Sequence, residues 1–245
     1  MACANAIIFD YIGTLVNCKG YTMDASMENL YSALFAEGFE VSKNKFFSAY
    51  NLAHEKYRII RYEQLREVTN AVWVAEALSN LGFDVTANDY RIKVALNVFF
   101  KAYVDTFELR LGTKKLLKQA QQQCKVGLIS NFTFAPVIYS SLRLLGINSF
   151  FNAVVISEEN GWRKPSIHIF QEALNRLDVE SYAAIYVGDS PIEDIKGAKQ
   201  AGLKTIFVPS QFNTLKDLTE SKQKPDYIVK DIQSIIENFA EITKQ

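Results

Sequence analysis

The sequence predicts an α/β fold: a three-layer α/β/α parallel sheet interrupted by an all-helical insertion. Three observations predict it. Short apolar runs at 125–130, 153–156, 184–187, 204–208 and 226–229 alternate with segments of helical period, which is the pattern of βαβ units. An earlier run, Ala6-Ile7-Ile8-Phe9, is apolar at every position, as a strand covered on both faces must be, and it ends in Asp10. From about Tyr21 to Thr106 strand signals are absent and apolar residues recur at steps of three and four.

The first run opens the sheet and stops at a Gly13-Thr14 turn. The helical stretch follows, with Met27, Leu30, Leu34 and Phe35 on one stripe and Val72, Val74, Ala77 and Leu78 on another. Its aromatic residues, Phe46, Phe47, Tyr50, Tyr57, Tyr62, Trp73, Phe99 and Phe100, read as helix-packing side chains. After Leu109, helices at about 112–123, 136–145, 166–177 and 192–201 alternate with the later strands, and a last helix closes the chain. The expected division is a core of 1–15 plus 107–245 and an inserted helical domain of 16–106.

Composition narrows the function. The chain has 245 residues, enough for one large domain or two modest ones. Lys+Arg and Asp+Glu both number 27, a balance that supports neither nucleic-acid binding nor a basic membrane patch. Cys3, Cys18 and Cys124 lack metal-ligand spacing and are too few for a disulfide framework, which fits a reducing compartment. The first ten residues lack a signal-peptide pattern and no run reaches membrane-spanning length, so a cytoplasmic protein is expected.

Four strand ends carry polar residues suited to one site, and the carboxyl ends of parallel strands are where such sheets bind ligands. Asp10 ends the first strand. Ser130-Asn131 ends the second, Lys164-Pro165 lies in the loop after the third, and Gly188-Asp189-Ser190 ends the fourth, with Asp194 five residues beyond Asp189. Taken singly, each has an ordinary structural reading as a turn, a helix cap or a loop. Taken together, Asp10, Asp189 and Asp194 crowd negative charge that a cation must offset. Hard oxygen donors without His or Cys point to Mg²⁺. Lys164 and the Ser130 hydroxyl can hold an anion beside it. A carboxylate nucleophile, a divalent metal and cationic clamps suit phosphoryl transfer through an aspartyl-phosphate.

The stretches Phe9-Asp10-Tyr11-Ile12-Gly13-Thr14-Leu15, Leu128-Ile129-Ser130-Asn131, Arg163-Lys164-Pro165 through Phe170, and Val187-Gly188-Asp189-Ser190 through Ala198 resemble the haloacid dehalogenase superfamily. The resemblance covers the whole chain. It implies a Rossmann-like core with a helical cap inserted after the first motif. It implies Asp10 as nucleophile and metal ligand, the Ile12 backbone carbonyl and Asp189 as further ligands, and Asp194 beside them. Ser130 and Asn131 would hold the transferring group, and Lys164 would neutralise it and orient Asp10. Phosphatases of this family usually carry Asp where this chain has Ile12, to protonate the leaving group and activate water. Isoleucine does neither, and losing such a group costs about 10²–10⁴ in rate.

Three readings follow. The first is a Mg²⁺-dependent phosphohydrolase of a small phosphorylated metabolite, acting as a monomer or homodimer. The second is a metal-independent 2-haloacid dehalogenase, whose halide leaves without a proton. Against it stand the acidic Gly188-Asp189-Ser190…Asp194 pattern and Phe170, where dehalogenases have Tyr. A phosphonate-cleaving relative would need a Schiff-base lysine from the cap, such as Lys43, Lys45 or Lys56. The third reading is a binding or regulatory protein on the same scaffold. Within the cap, Arg58 and Arg61 are the candidates for an anionic substrate group. His54 is a candidate proton donor, His168 reads as surface or packing, and Trp162 and Arg163 as entrance residues.

Overall fold

The computed structural model describes residues 4–244, so Cys3 lies outside the described residues. β1 (Ala6–Asp10) is the centre of a six-stranded sheet. The other members are β4 (Lys125–Ser130), β5 (Ala153–Ile156), β6 (Ala184–Gly188), β7 (Lys204–Phe207) and β8 (Tyr227–Ile228), and the order is β5-β4-β1-β6-β7-β8. All pairs are parallel. Ile7, Ile8 and Phe9 are at most 2% exposed, because β1 has a strand on each side and helices on both faces. Each such burial is worth about 1.5–3 kcal/mol.

The order of the sheet strands reverses direction at β1 and β6, the switch point where doubly wound sheets open a crevice. Register sets the level of that crevice. Asp10 stands opposite Ile129 and Phe9 opposite Val187, so Asp10, Ser130 and Asp189 emerge at one edge.

The strands expected at 204–208 and 226–229 are shorter than their apolar runs, ending at Phe207 and Ile228. The helix expected at 192–201 divides into a wide turn at Pro191–Lys196, in which Ile195 N–H donates to the Ser190 carbonyl, and an α-helical turn at Gly197–Gln200. Two strands were not foreseen. β2 (Val16–Cys18) and β3 (Phe107–Leu109) form an antiparallel pair where the chain leaves and re-enters the core. Three residues apiece are too few to show a period.

Between them lie α1 (Met23–Ala36), α2 (Lys43–Glu63), α3 (Asn70–Ser79) and α4 (Tyr90–Val104). α1 packs on α4 and α2 on α3. Leu30, Leu34, Phe46, Val74, Leu78, Ile92 and Leu96 form the buried stripes. Phe35 and Tyr62 are exposed, at 48% and 53%, so neither is core as expected: helix phase turns Phe35 one step past the Leu30–Leu34 stripe. Among the described residues no helix is long and apolar enough to cross a membrane.

Candidate active site

Lys164 is the hub of the strand-end cluster. The residue is 1% exposed, and its ammonium donates to Asp10 Oδ1 at 2.6 Å, Asp194 Oδ1 at 2.7 Å and the Tyr186 hydroxyl at 3.0 Å. Tyr186, on β6, in turn donates to Asp194 Oδ1 at 3.0 Å. Asp194 Oδ2 accepts from Ser190 N–H at 2.8 Å, a bond that the wide turn at Pro191–Lys196 makes reachable. Burial works against the Lys164 charge, yet Asp10 and Asp194 hold its pKa well above the usual lysine value.

Asp189 is held from a loop that sequence reasoning passed over. Ser210 Oγ and Asn213 Nδ2 donate to Asp189 Oδ2 at 2.6 and 3.0 Å, and Thr14 Oγ1 reaches Oδ1 at 3.4 Å. The signal was present: Ser210-Gln211-Phe212-Asn213 is a polar cluster just past a strand end, like the others. Two glycines make the close approach possible. A Cβ on Gly13 (φ +101°) would lie 2.6 Å from Asp189 Oδ2, and one on Gly188 would overlap the Asp194 carboxyl group.

Ligand atoms of Asp10, Asp189 and Asp194 lie within 4.8 Å of one another, all three side chains buried. At an effective dielectric near 20, each such pair of like charges repels by about 3 kcal/mol or more. Burial pushes the Asp10 carboxyl up to about 8; Lys164 opposes this, while Asp194 and Asp189 add to it. Burial and Asp194 also raise Asp189, against the pull of Ser210 and Asn213. One ammonium therefore faces three carboxylates. Asp10 Oδ2 is buried with no hydrogen-bond partner, which leaves it for an electrophile. An oxygen-only donor set with surplus negative charge and an open carboxylate oxygen fits a hard divalent cation.

This cluster forms the floor of a cavity of about 900 Å³ roofed by the cap. Asp10, Ile12, Asn131, Asp189 and Asp194 line the floor, and Tyr50, His54, Arg61, Trp73, Phe99 and Phe100 line the roof. Many of the cap aromatics thus pack the helices and wall the cavity at once. The Ile12 side chain brings no titratable group to this surface.

Other expected site residues are placed differently. Asn131 does not present a free amide to a ligand: its Nδ2 donates to the Lys164 carbonyl at 3.0 Å and its Oδ1 accepts from the Lys164 N–H at 2.7 Å. It therefore anchors the Lys164 loop. Ser130 is buried at the end of β4. Arg61 lines the cavity, whereas Arg58 lies on the solvent side of α2 and pairs with Glu55 at 2.7 Å. Three residues is less than a full turn, and the phase of α2 turns only one of the two inward. Lys43 and Lys56 are exposed and pair with Glu28 and Glu76, and Lys45 lies on a separate shallow groove. Burial and nearby Arg61 lower the pKa of His54, which disfavours its acid form. His168 is exposed against Trp162, itself stacked under Arg66 at 3.9 Å.

The haloacid dehalogenase-like hydrolase model matches residues 4–202. The chain belongs to the haloacid dehalogenase-like hydrolase family. This hydrolase is 34% identical over 126 residues to the glyceraldehyde 3-phosphate phosphatase of Methanothermobacter thermautotrophicus, covering 51% of this chain and 55% of that one. It is 32% identical over 130 residues to the ribulose-1,5-bisphosphate 5-phosphatase of Halopiger xanaduensis, covering 52% and 53%. The chain thus spans about half the length of these curated relatives. The 2-haloacid dehalogenase of Pseudomonas syringae pv. Tomato superposes with a TM-score of 0.67 at 21% identity, over 97% of this chain and 99% of that one, which shows a common fold.

Proposed function

We propose that this hydrolase is a Mg²⁺-dependent phosphohydrolase that works through an aspartyl-phosphate on Asp10. The observation that carries the reading is the three-carboxylate cluster around one buried ammonium, with an Asp10 oxygen left unpartnered. Asp10, Asp189, Asp194 and the Ile12 carbonyl would hold the Mg²⁺, which when bound supplies charge neutralisation to phosphoryl oxygens. Lys164 fixes one Asp10 oxygen and adds positive charge next to the incoming phosphoryl group. The Asp10 carboxylate attacks phosphorus, an O–P bond forms, and the bond to the leaving oxygen breaks. The departing alkoxide takes its proton from cavity water, because Ile12 has none to give. The hydroxide this leaves then attacks the phosphorus of the acyl phosphate, the bond to Asp10 breaks, and phosphate is released with the Asp10 carboxylate restored.

The named relatives act, by their names, on small phosphorylated sugars, and a cavity of about 900 Å³ fits a substrate of that size. In this reading it acts on free metabolites in the cytoplasm, a compartment its few cysteines fit. The test is hydrolysis of an aryl phosphate in Mg²⁺ and in EDTA, by wild type and Asp10→Asn. Turnover is expected only with Mg²⁺ and only with Asp10 intact. Metal-independent halide release from 2-chloropropionate would instead make the chain a dehalogenase.

A further inference from the structure

Every hydrogen bond that the Asp189 carboxylate accepts among the described residues comes from two loop segments. Thr14 Oγ1, beside Gly13, reaches Oδ1, and Ser210 Oγ and Asn213 Nδ2 reach Oδ2. Arg110, the residue after β3, bridges those segments. Its Nη1 donates to the carbonyls of Gly13 at 2.6 Å and Thr14 at 3.3 Å, and its Nη2 donates to the Pro209 carbonyl at 2.8 Å. Gln211, between Ser210 and Asn213, makes a second tie. Its side-chain amide pairs with the backbone of Cys18 on β2, accepting from the N–H at 3.1 Å and donating to the carbonyl at 2.6 Å. It sits at the edge of the two-stranded ribbon as the peptide group of a third strand would.

β2 and β3 are the strands through which the chain leaves the core for the helical cap and returns. Each is therefore tied by one side chain to the groups that hold Asp189. Arg110 binds carbonyl oxygens rather than the Asp189 carboxylate, so it fixes the surroundings of Asp189 without occupying the oxygens themselves. Groups that orient a ligating carboxylate in this way are typically worth about 10–100-fold in metal affinity. We propose that Arg110 and Gln211 are positioning residues for Asp189, and that through them the seating of the β2–β3 ribbon is coupled to the affinity for a divalent cation. This rests on the reading of Asp189 as a metal ligand. Such coupling is reciprocal, so a cation bound at Asp189 also steadies the ribbon.

The test is titration calorimetry with Mg²⁺ alone on wild type, Gln211→Met, Arg110→Met and Arg110→Lys. The sign of the Arg110 effect separates positioning from charge. Arg110 is near enough to Asp189 for their charges to interact, so removing its positive charge would by Coulomb's law tighten cation binding. Loss of positioning weakens it instead. Arg110→Met and Gln211→Met are each expected to weaken Mg²⁺ binding by about tenfold or more. Arg110→Lys keeps the charge, but its single nitrogen does not span both segments, so it too should bind Mg²⁺ more weakly. In the reverse direction, saturating Mg²⁺ should slow hydrogen exchange of the Cys18 amide in wild type, as read by NMR. Binding as tight as wild type, or tighter, in either Met variant would overturn the proposal, as would Cys18 exchange indifferent to Mg²⁺. Gln211 is exposed, so Gln211→Met keeps the test decisive should Arg110→Met not fold. No Mg²⁺ binding by wild type, together with no Mg²⁺-dependent turnover of an aryl phosphate, would overturn the metal-site reading itself.

Discussion

The Tyr186 hydroxyl joins two charged groups in the interior, and Tyr186→Phe removes it without removing a charge. In the folded protein that oxygen accepts from Lys164 Nζ at 3.0 Å and donates to Asp194 Oδ1 at 3.0 Å. Lys164 retains Asp10 and Asp194, and its third N–H has only the Ile129 carbonyl, at 3.4 Å, as a replacement. Hydrogen bonds to charged groups contribute about 1.5–3 kcal/mol, and the weak replacement returns part of that, so the expected loss is about 2 kcal/mol. For a chain of this length that is a fall in Tm of about 4–8 °C. Tyr11→Phe is the matched control. Its hydroxyl bonds the neutral Ser141 Oγ at 2.8 Å, and Ser141 keeps a bond to the Ile138 carbonyl. That loss should be about 1 kcal/mol, or about 2–4 °C. Calorimetric unfolding of both variants in one buffer measures the difference. A Tyr186→Phe shift no larger than that of Tyr11→Phe would refute the claim that the hydroxyl supports a charged centre.

Three further outcomes are expected. Wild type should release the leaving group of an aryl phosphate in a burst seen by rapid quench, and Ile12→Asp should raise steady-state turnover; equal rates and no burst would show that water already suffices as acid and base. Gly188→Ala should push the Asp194 carboxyl group off its place and lower turnover and Mg²⁺ affinity by about 100-fold, as read by titration calorimetry and steady-state rates. Burial tends to raise the pKa of Asp226, but bonds from Thr205 Oγ1 and N–H, with Lys199, pull it below the usual value. The folded pKa is the lower one, so this contribution is present above about pH 4 and is lost as pH falls below it. Denaturant melts of wild type and Asp226→Asn should therefore differ most near pH 7 and converge in acid.

The parts of this molecule governed by local pattern were legible in the sequence. The apolar run before Asp10 could only be a central strand, and the recurrence of polar residues at successive strand ends marked Lys164, Asp189 and Asp194 as neighbours. What depends on side-chain direction was not. Tyr186 sits in an apolar strand and reads as packing until its hydroxyl is seen on Lys164. Asn131 sits where a ligand-binding amide would, yet it turns back onto the Lys164 backbone. Arg58 and Arg61 are equivalent by spacing, and only the packing of α2 on α3 separates them. β2 and β3 are a tertiary pairing across the whole cap, with no local signature.

The Lys164–Asp10 pair joins residues 154 apart. Closing so long a loop costs about 4–5 kcal/mol of chain entropy beyond a constant term, and neither charge can enter the interior alone without a larger penalty. The ammonium and the carboxylates must therefore be buried in the same event, after β4, β1 and β6 have found their order. A chain that aligned β6 one residue out of step would carry the Tyr186 hydroxyl and Asp194 away from Lys164, leaving the buried ammonium with Asp10 alone. The same charges that make the site reactive thus act in folding as a check on the sheet, rejecting registers in which the site would not exist.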